Sequence, residues 1–169
     1  HINPGEFLGG PQKLGMINMV GDWVLKNALR QIATWRQQGS TTVPISINVE
    51  TSQIQLGEFV DTVTHQLDSF GLTGKDLEIE VTEGMLIDHM EASISTLKQL
   101  RCNGIKISID DYGTGYSSMN YMKQLPIDML KIDLDHHFTE AEFDLADDIA
   151  GPDKPITDIN ALLKSLRAN

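Results

Sequence analysis

Four short runs of alternating apolar and polar residues, most of them separated by helix-length stretches, constrain this chain more than any other feature. Pro44–Val49, Leu77–Val81, Ile105–Ile109 and Ile127–Ile132 read as strands. A helix is expected over 11–38, with Ile17, Val20, Val24, Ala28, Ile32 and Trp35 on one stripe. Further helices are expected from about Gly57 to Phe70, from about Asp88 to Cys102 and, shorter, near Ser117 to Lys123. Gly39-Ser40, Gly71 and Asn103-Gly104 are stop signals where these helices should end. Strands joined by helical crossovers run parallel, so the pattern predicts an α/β fold built from βα units.

How the strands alternate carries the next inference. A parallel sheet is covered on both faces, so its strands should be apolar nearly throughout. Here Ile45, Ile47 and Val49 oppose Ser46 and Asn48, and Leu77, Ile79 and Val81 oppose Glu78 and Glu80. Ile107 and Ile109 oppose Ser108 and Asp110, and Leu130 and Ile132 oppose Met129 and Lys131. An unpaired buried charge is costly, so four such groups converging on one sheet end point to a site. The competing explanation is an antiparallel sheet with one wet face, which alternates in the same way. In α/β folds, sites lie at the C-terminal strand ends, where Asn48, Glu80, Asp110, Asp111 and Lys131 fall.

Composition sharpens the chemistry. The 169 residues suffice for one domain, and the formal charge of −11 weighs against DNA or RNA as a partner. A phosphate substrate would need a bound cation as intermediary. Asn48, Glu80, Asp110 and Asp111 offer hard oxygen donors, the ligand set of Mg²⁺ or Mn²⁺ rather than of zinc. Two such ions roughly 3.5–4 Å apart can clamp the attacking and leaving oxygens of a phosphoryl displacement. Lys131 could orient a water or offset charge, and Gly113 and Gly115 would let a loop come close to substrate. Each piece has a plainer reading: Asp110-Asp111 as a turn and cap, Lys131 in an ion pair, Asn48 capping a loop. Only the set is persuasive.

At these residues the sequence resembles the EAL domain family, bacterial cyclic-di-GMP phosphodiesterases on a modified (β/α)8 TIM-type barrel. The resemblance runs from Pro4 to Asp133, beginning with Asn3-Pro4-Gly5-Glu6-Phe7 before the first long helix. Asn48-Val49-Glu50 is similar to the family's Asn-x-Ser, and Glu80-Val81-Thr82-Glu83 to its Glu-x-Thr-Glu. The stretch from Asp110 to Ser118 is similar to its DDFGTGYSS loop, and Leu125–Asp128 and Leu130–Asp133 to its LPID and LKID. The resemblance implies Asn48, Glu80 and Asp110 as ligands of a first metal, Mg²⁺ or Mn²⁺, and Asp111 as ligand of a second. It implies Lys131 at the nucleophilic water and Glu83 bracing the substrate loop of Gly113, Thr114, Gly115, Tyr116, Ser117 and Ser118. The implied reaction is hydrolysis of cyclic-di-GMP to linear pGpG. A homodimer formed through that loop, and an upstream sensor or GGDEF domain, are the implied partners.

Departures from the family pattern accompany the match. The strand bearing Glu-Ala-Leu and the later Glu-Gly-Val-Glu are both absent, and Glu50 replaces the usual Ser. Gly9-Gly10-Pro11-Gln12 replaces a segment normally ending Ala-Glu, and only about four of eight barrel strands are evident. The expected division is a core over 1–133, a shortened acidic segment over 134–153 and a final helix over 154–169. The chain reads as an excerpt, a fragment or a shortened gene product, with two open sheet edges prone to association. The alternative function is a degenerate domain that binds cyclic-di-GMP, or another protein, without turnover. A bare α/β fragment with no function of its own is the third.

The remaining features are expected to be structural. His136-His137 reads as part of a solvated acidic loop, Cys102 as a packed thiol, and the methionines as core and turn residues. Trp23 and Trp35 are expected to pack their helix onto the barrel. One cysteine, no secretion signal and no apolar run near ~18 residues predict a cytoplasmic location without membrane contact.

Overall fold

A computed structural model describes residues 16–55, 57–82, 90–112 and 125–132. In chain order it contains α1 (Ile17–Gln37), β1 (Ile45–Asn48), α2 (Thr51–Gln55) and α3 (Phe59–Ser69). A 3₁₀ turn (Gly74–Asp76), β2 (Leu77–Thr82), α4 (Met90–Cys102), β3 (Lys106–Tyr112) and β4 (Met129–Ile132) follow. The four strands form one parallel sheet in the order β1-β2-β3-β4. The antiparallel alternative is thereby excluded.

Strand order equal to chain order has a consequence. The strand order steps the same way each time, so right-handed crossovers put the described helices on one face, as in a βα barrel, whereas a doubly wound sheet reverses direction. The core agrees: Leu25, Leu29, Ile32, Val63, Leu67, Leu97 and Leu100 of the helices form one buried cluster with Ile47, Ile79, Val81, Ile107 and Ile109. The other face carries polar rows in register: Ser46–Glu78–Lys106, then Asn48–Glu80–Ser108–Met129, then Thr82–Asp110.

The predicted stops operate as read. Gly39, Gly71 and Gly104 have φ of 80°, 66° and 82°, a region a Cβ disfavours. Each ends its helix with paired backbone bonds, as in Gly104 N–H to Arg101 O at 2.8 Å and Ile105 N–H to Leu100 O at 3.2 Å. The chain leaves each turn already directed into, or toward, the next strand.

Two ion pairs hold the N-terminal strand ends. Arg36, at the end of α1, grips Asp76 just before β2, and Arg101, at the end of α4, grips Asp128 just before β4. Asp128 also satisfies both backbone groups of Ile107: its Oδ2 accepts Ile107 N–H at 3.0 Å, and its own N–H donates to Ile107 O at 2.8 Å. Asp128 thereby pins β4 against β3 and sets where Lys131 falls.

Several expectations are corrected. The buried stripe of α1 is Ile17, Leu25, Leu29 and Ile32, while Val24, Trp23 and Trp35 are exposed, the last two at 67% and 45%. Gly21 lets α1 come close to α2, its bare Cα facing the buried Gln53 side chain. Cys102 is exposed rather than packed, and Met16, Met19 and Met129 are exposed rather than core. The short α2 was not anticipated. Residues 134–153 and 154–169, the helix expected near Ser117 to Lys123, and Met85, Met119, Met122, His136 and His137 lie outside the described residues. Among the described residues, no helix is long and apolar enough to cross a membrane.

Candidate functional site

The polar rows converge on Lys131. Its Nζ donates to Glu80 Oε1, and Glu78 Oε1 lies 3.8 Å from the same nitrogen. Glu80 is buried at 7% exposure on the middle row of β2, directly opposite Asn48 of β1 and Ser108 of β3. Ser108 is fully buried and donates its hydroxyl to Glu78 Oε1 at 2.8 Å. Asp110 stands one row further along β3, opposite Thr82.

The charge on Lys131 is held in place by this surrounding. Burial works to lower its pKa, but the hydrogen bond to Glu80 and the charges of Glu80, Glu78 and Asp110 outweigh that and raise it above the ordinary lysine value. The ammonium is therefore fully protonated at neutral pH, within the field of three carboxylates.

The strand read from the sequence ends at Ile109; β3 continues to Tyr112 and takes in both Asp110 and Asp111, so their plainer reading as a turn does not hold. The pairing explains how the strand tolerates them. Ile109 pairs with Leu130 and Tyr112 with Ile132, so three steps along β3 match two along β4. Along the backbone, Asp110 and Asp111 together stand across from the single position of Lys131, a register shift of the β-bulge kind.

Asn48, exposed on the outermost strand of the described sheet, borders a groove of about 570 Å³ lined also by Val20, Val24, Glu50 and Thr82. Asn48, Glu80, Asp110 and Lys131 thus occupy adjacent strands at one rim, as the sequence predicted. Glu83 and the Gly113–Ser118 loop lie outside the described residues, and so does the Asp111 side chain. Sequence reasoning placed Glu78 and Ser108 on the polar face but gave them no part in the site. Their signal was available: both share the strand parity of Glu80 and Asp110.

Two carboxylates and an amide oxygen on one rim are hard donors that suit Mg²⁺ or Mn²⁺, and the ammonium already bound to Glu80 shows that this carboxylate collects positive charge. Among the described residues, no three histidine, cysteine or acidic side chains form a ready metal cluster. The fit is therefore one of donor chemistry and position on adjacent strands.

Known proteins with similar sequences and folds share this frame. The family description that matches is that of the EAL domain, over residues 1–146. The cyclic di-GMP phosphodiesterase NbdA of Pseudomonas aeruginosa is 39% identical over 132 residues, 78% of this chain and 17% of that protein. The bifunctional diguanylate cyclase/cyclic di-GMP phosphodiesterase MucR of the same organism is 42% identical over 78% of this chain and 19% of its own length. The solved MucR phosphodiesterase in complex with c-di-GMP superposes with a TM-score of 0.73, covering 78% of this chain and 53% of that one. The FimX EAL domain, 19% identical with a TM-score of 0.72, adds likeness of fold alone. The chain therefore spans under a fifth of those two curated relatives and about half of the solved MucR chain.

Proposed function

This chain belongs to the EAL domain family, and from that premise we propose that its polar rim binds cyclic-di-GMP through divalent cations and hydrolyses one phosphodiester to linear pGpG. The observation that carries the reading is the meeting of Glu80, Asp110 and Lys131 at the C-terminal rim of neighbouring parallel strands. Asn48, Glu80 and Asp110 would hold one Mg²⁺ or Mn²⁺ and Asp111 a second. Bound there, the ions would neutralise phosphate charge and lower the pKa of a coordinated water. Lys131, kept protonated by its carboxylate neighbours, would orient that water and offset charge gathering on the phosphate oxygens. Glu83 would brace the loop of Gly113, Thr114, Gly115, Tyr116 and Ser117 against substrate.

An acidic chain of net charge −11 repels a bis-phosphate ligand unless cations intervene, so binding and turnover should both require metal. A homodimer, an upstream sensor or GGDEF domain, and a cytoplasmic location follow as parts of the same proposal. A second reading, binding without turnover, is favoured by Glu50 in place of the family's Ser.

Incubation with cyclic-di-GMP and Mn²⁺, with products separated by chromatography, tests the proposal. Formation of pGpG that is lost on chelation and in Asp110→Ala, with the circular dichroism unchanged, is the expected result. Turnover that survives Asp110→Ala would refute the metal assignment. Metal-dependent nucleotide affinity without pGpG would leave the second reading in its place.

A further inference from the structure

Lys131 stands between two carboxylates of β2, and only one of them has a role in the reaction proposed above. Glu80 holds its ammonium by a hydrogen bond; Glu78 Oε1 waits 3.8 Å away, inside ion-pair reach but beyond hydrogen-bond length. Glu78 is not idle surface charge: its side chain is 13% exposed, and the fully buried Ser108 hydroxyl holds that same oxygen at 2.8 Å. A divalent cation arriving at Glu80 would face an ammonium already bound there, and like charges a few ångströms apart repel. Lys131 must then give up or lengthen its bond to Glu80.

We propose that Glu78 is the carboxylate onto which Lys131 falls back when a divalent cation takes Glu80, and that Ser108 holds Glu78 ready for it. The inference rests on the metal-binding reading above. The movement needed is small, about 1 Å to reach hydrogen-bond distance, well within the play of a lysine side chain. Glu78 stays one row below the metal, so the ammonium keeps a partner and remains beside Asp110 and the reacting phosphate. Glu78 and Ser108 are positioning residues in this scheme, acting through Lys131.

Calorimetric titration with Mn²⁺ of the full chain separates this role from a structural one. Glu78→Gln keeps the shape and an oxygen for Ser108 but removes the charge. It is expected to weaken Mn²⁺ binding about tenfold, or about 1.4 kcal/mol, because Lys131 then stays on Glu80. In a Lys131→Met background the same substitution should change affinity less than about twofold, since no ammonium remains to be received. Ser108→Ala should reproduce the Lys131-dependent loss in weaker form, and it serves as the second variant should Glu78→Gln fold poorly. Equal losses in both backgrounds, or no loss in either, would overturn the inference alone. No Mn²⁺ binding by the unaltered chain would overturn the metal reading, and this inference with it.

Discussion

Asp76 offers a stability test whose size can be worked out from its partners. Its two oxygens receive Arg36 Nη1 at 3.1 Å, Arg36 Nη2, Thr73 N–H at 2.8 Å and Thr73 Oγ1 at 3.2 Å, and the residue is 7% exposed. Arg36 is 41% exposed and keeps Thr42 Oγ1 at 2.8 Å, so on losing Asp76 it turns to water, and its share is about 1 kcal/mol. The Thr73 N–H, at the start of the 3₁₀ turn, donates to Asp76 Oδ2, so that share is about 1–1.5 kcal/mol. Asp76→Ala should therefore cost about 2–2.5 kcal/mol, or roughly 4–10 °C in Tm. Asp76→Asn, which keeps an oxygen for Thr73, should cost about half of that.

The acid side supplies the sign. Burial pushes the Asp76 carboxyl up, but the bonds from Arg36 and Thr73 and the Arg36 charge win and hold it below the ordinary aspartate value. Its contribution is present above roughly pH 3.9 and fades as pH falls through the depressed value. Urea unfolding followed by circular dichroism from pH 7 to pH 2 should show the gap between the unaltered chain and Asp76→Ala closing below about pH 4. A cost under about 0.5 kcal/mol at pH 7, or a gap that does not narrow as pH falls below about 4, would refute the reasoning.

Two further outcomes are expected. Gly74→Ala would set a Cβ 2.1 Å from Asn103 O and 2.8 Å from Ile105 N, backbone that cannot swing aside, so a loss of at least about 2 kcal/mol in urea unfolding is expected. Lys131, with its pKa raised by Glu80, Glu78 and Asp110 against the lowering effect of burial, stabilises the fold below roughly pH 10.4 and ceases to as pH climbs through the raised value. The alkaline limb of stability should be flatter in Lys131→Met when both proteins are melted without metal.

Local patterns were legible wherever a residue's own neighbours decide its state. Period-two alternation in Leu77–Val81 is a property of one strand, so it exposed the parity of Glu78 and Glu80 before any partner was known. Gly39, Gly71 and Gly104 ended helices because only a residue without Cβ takes positive φ cheaply, and that too is local. The long apolar stretch of α1 was legible as a helix but its buried face was not. Val24 and Trp35 fit the periodicity as well as Leu25 and Leu29 do, and packing against the sheet and the neighbouring helices, which is not local, decided between them.

Composition, alternation and motif order were enough to specify parallel βα units, a polar rim and the residue types on it, because each depends on contacts close in sequence. Which carboxylate Lys131 binds, and that Asp110 and Asp111 share one position across from it, depended on how β4 registers against β3, and β3 against β2. That register is set by Asp128 closing on Ile107 and Arg101, groups 21 and 27 residues away, and no local periodicity encodes a pairing at such range.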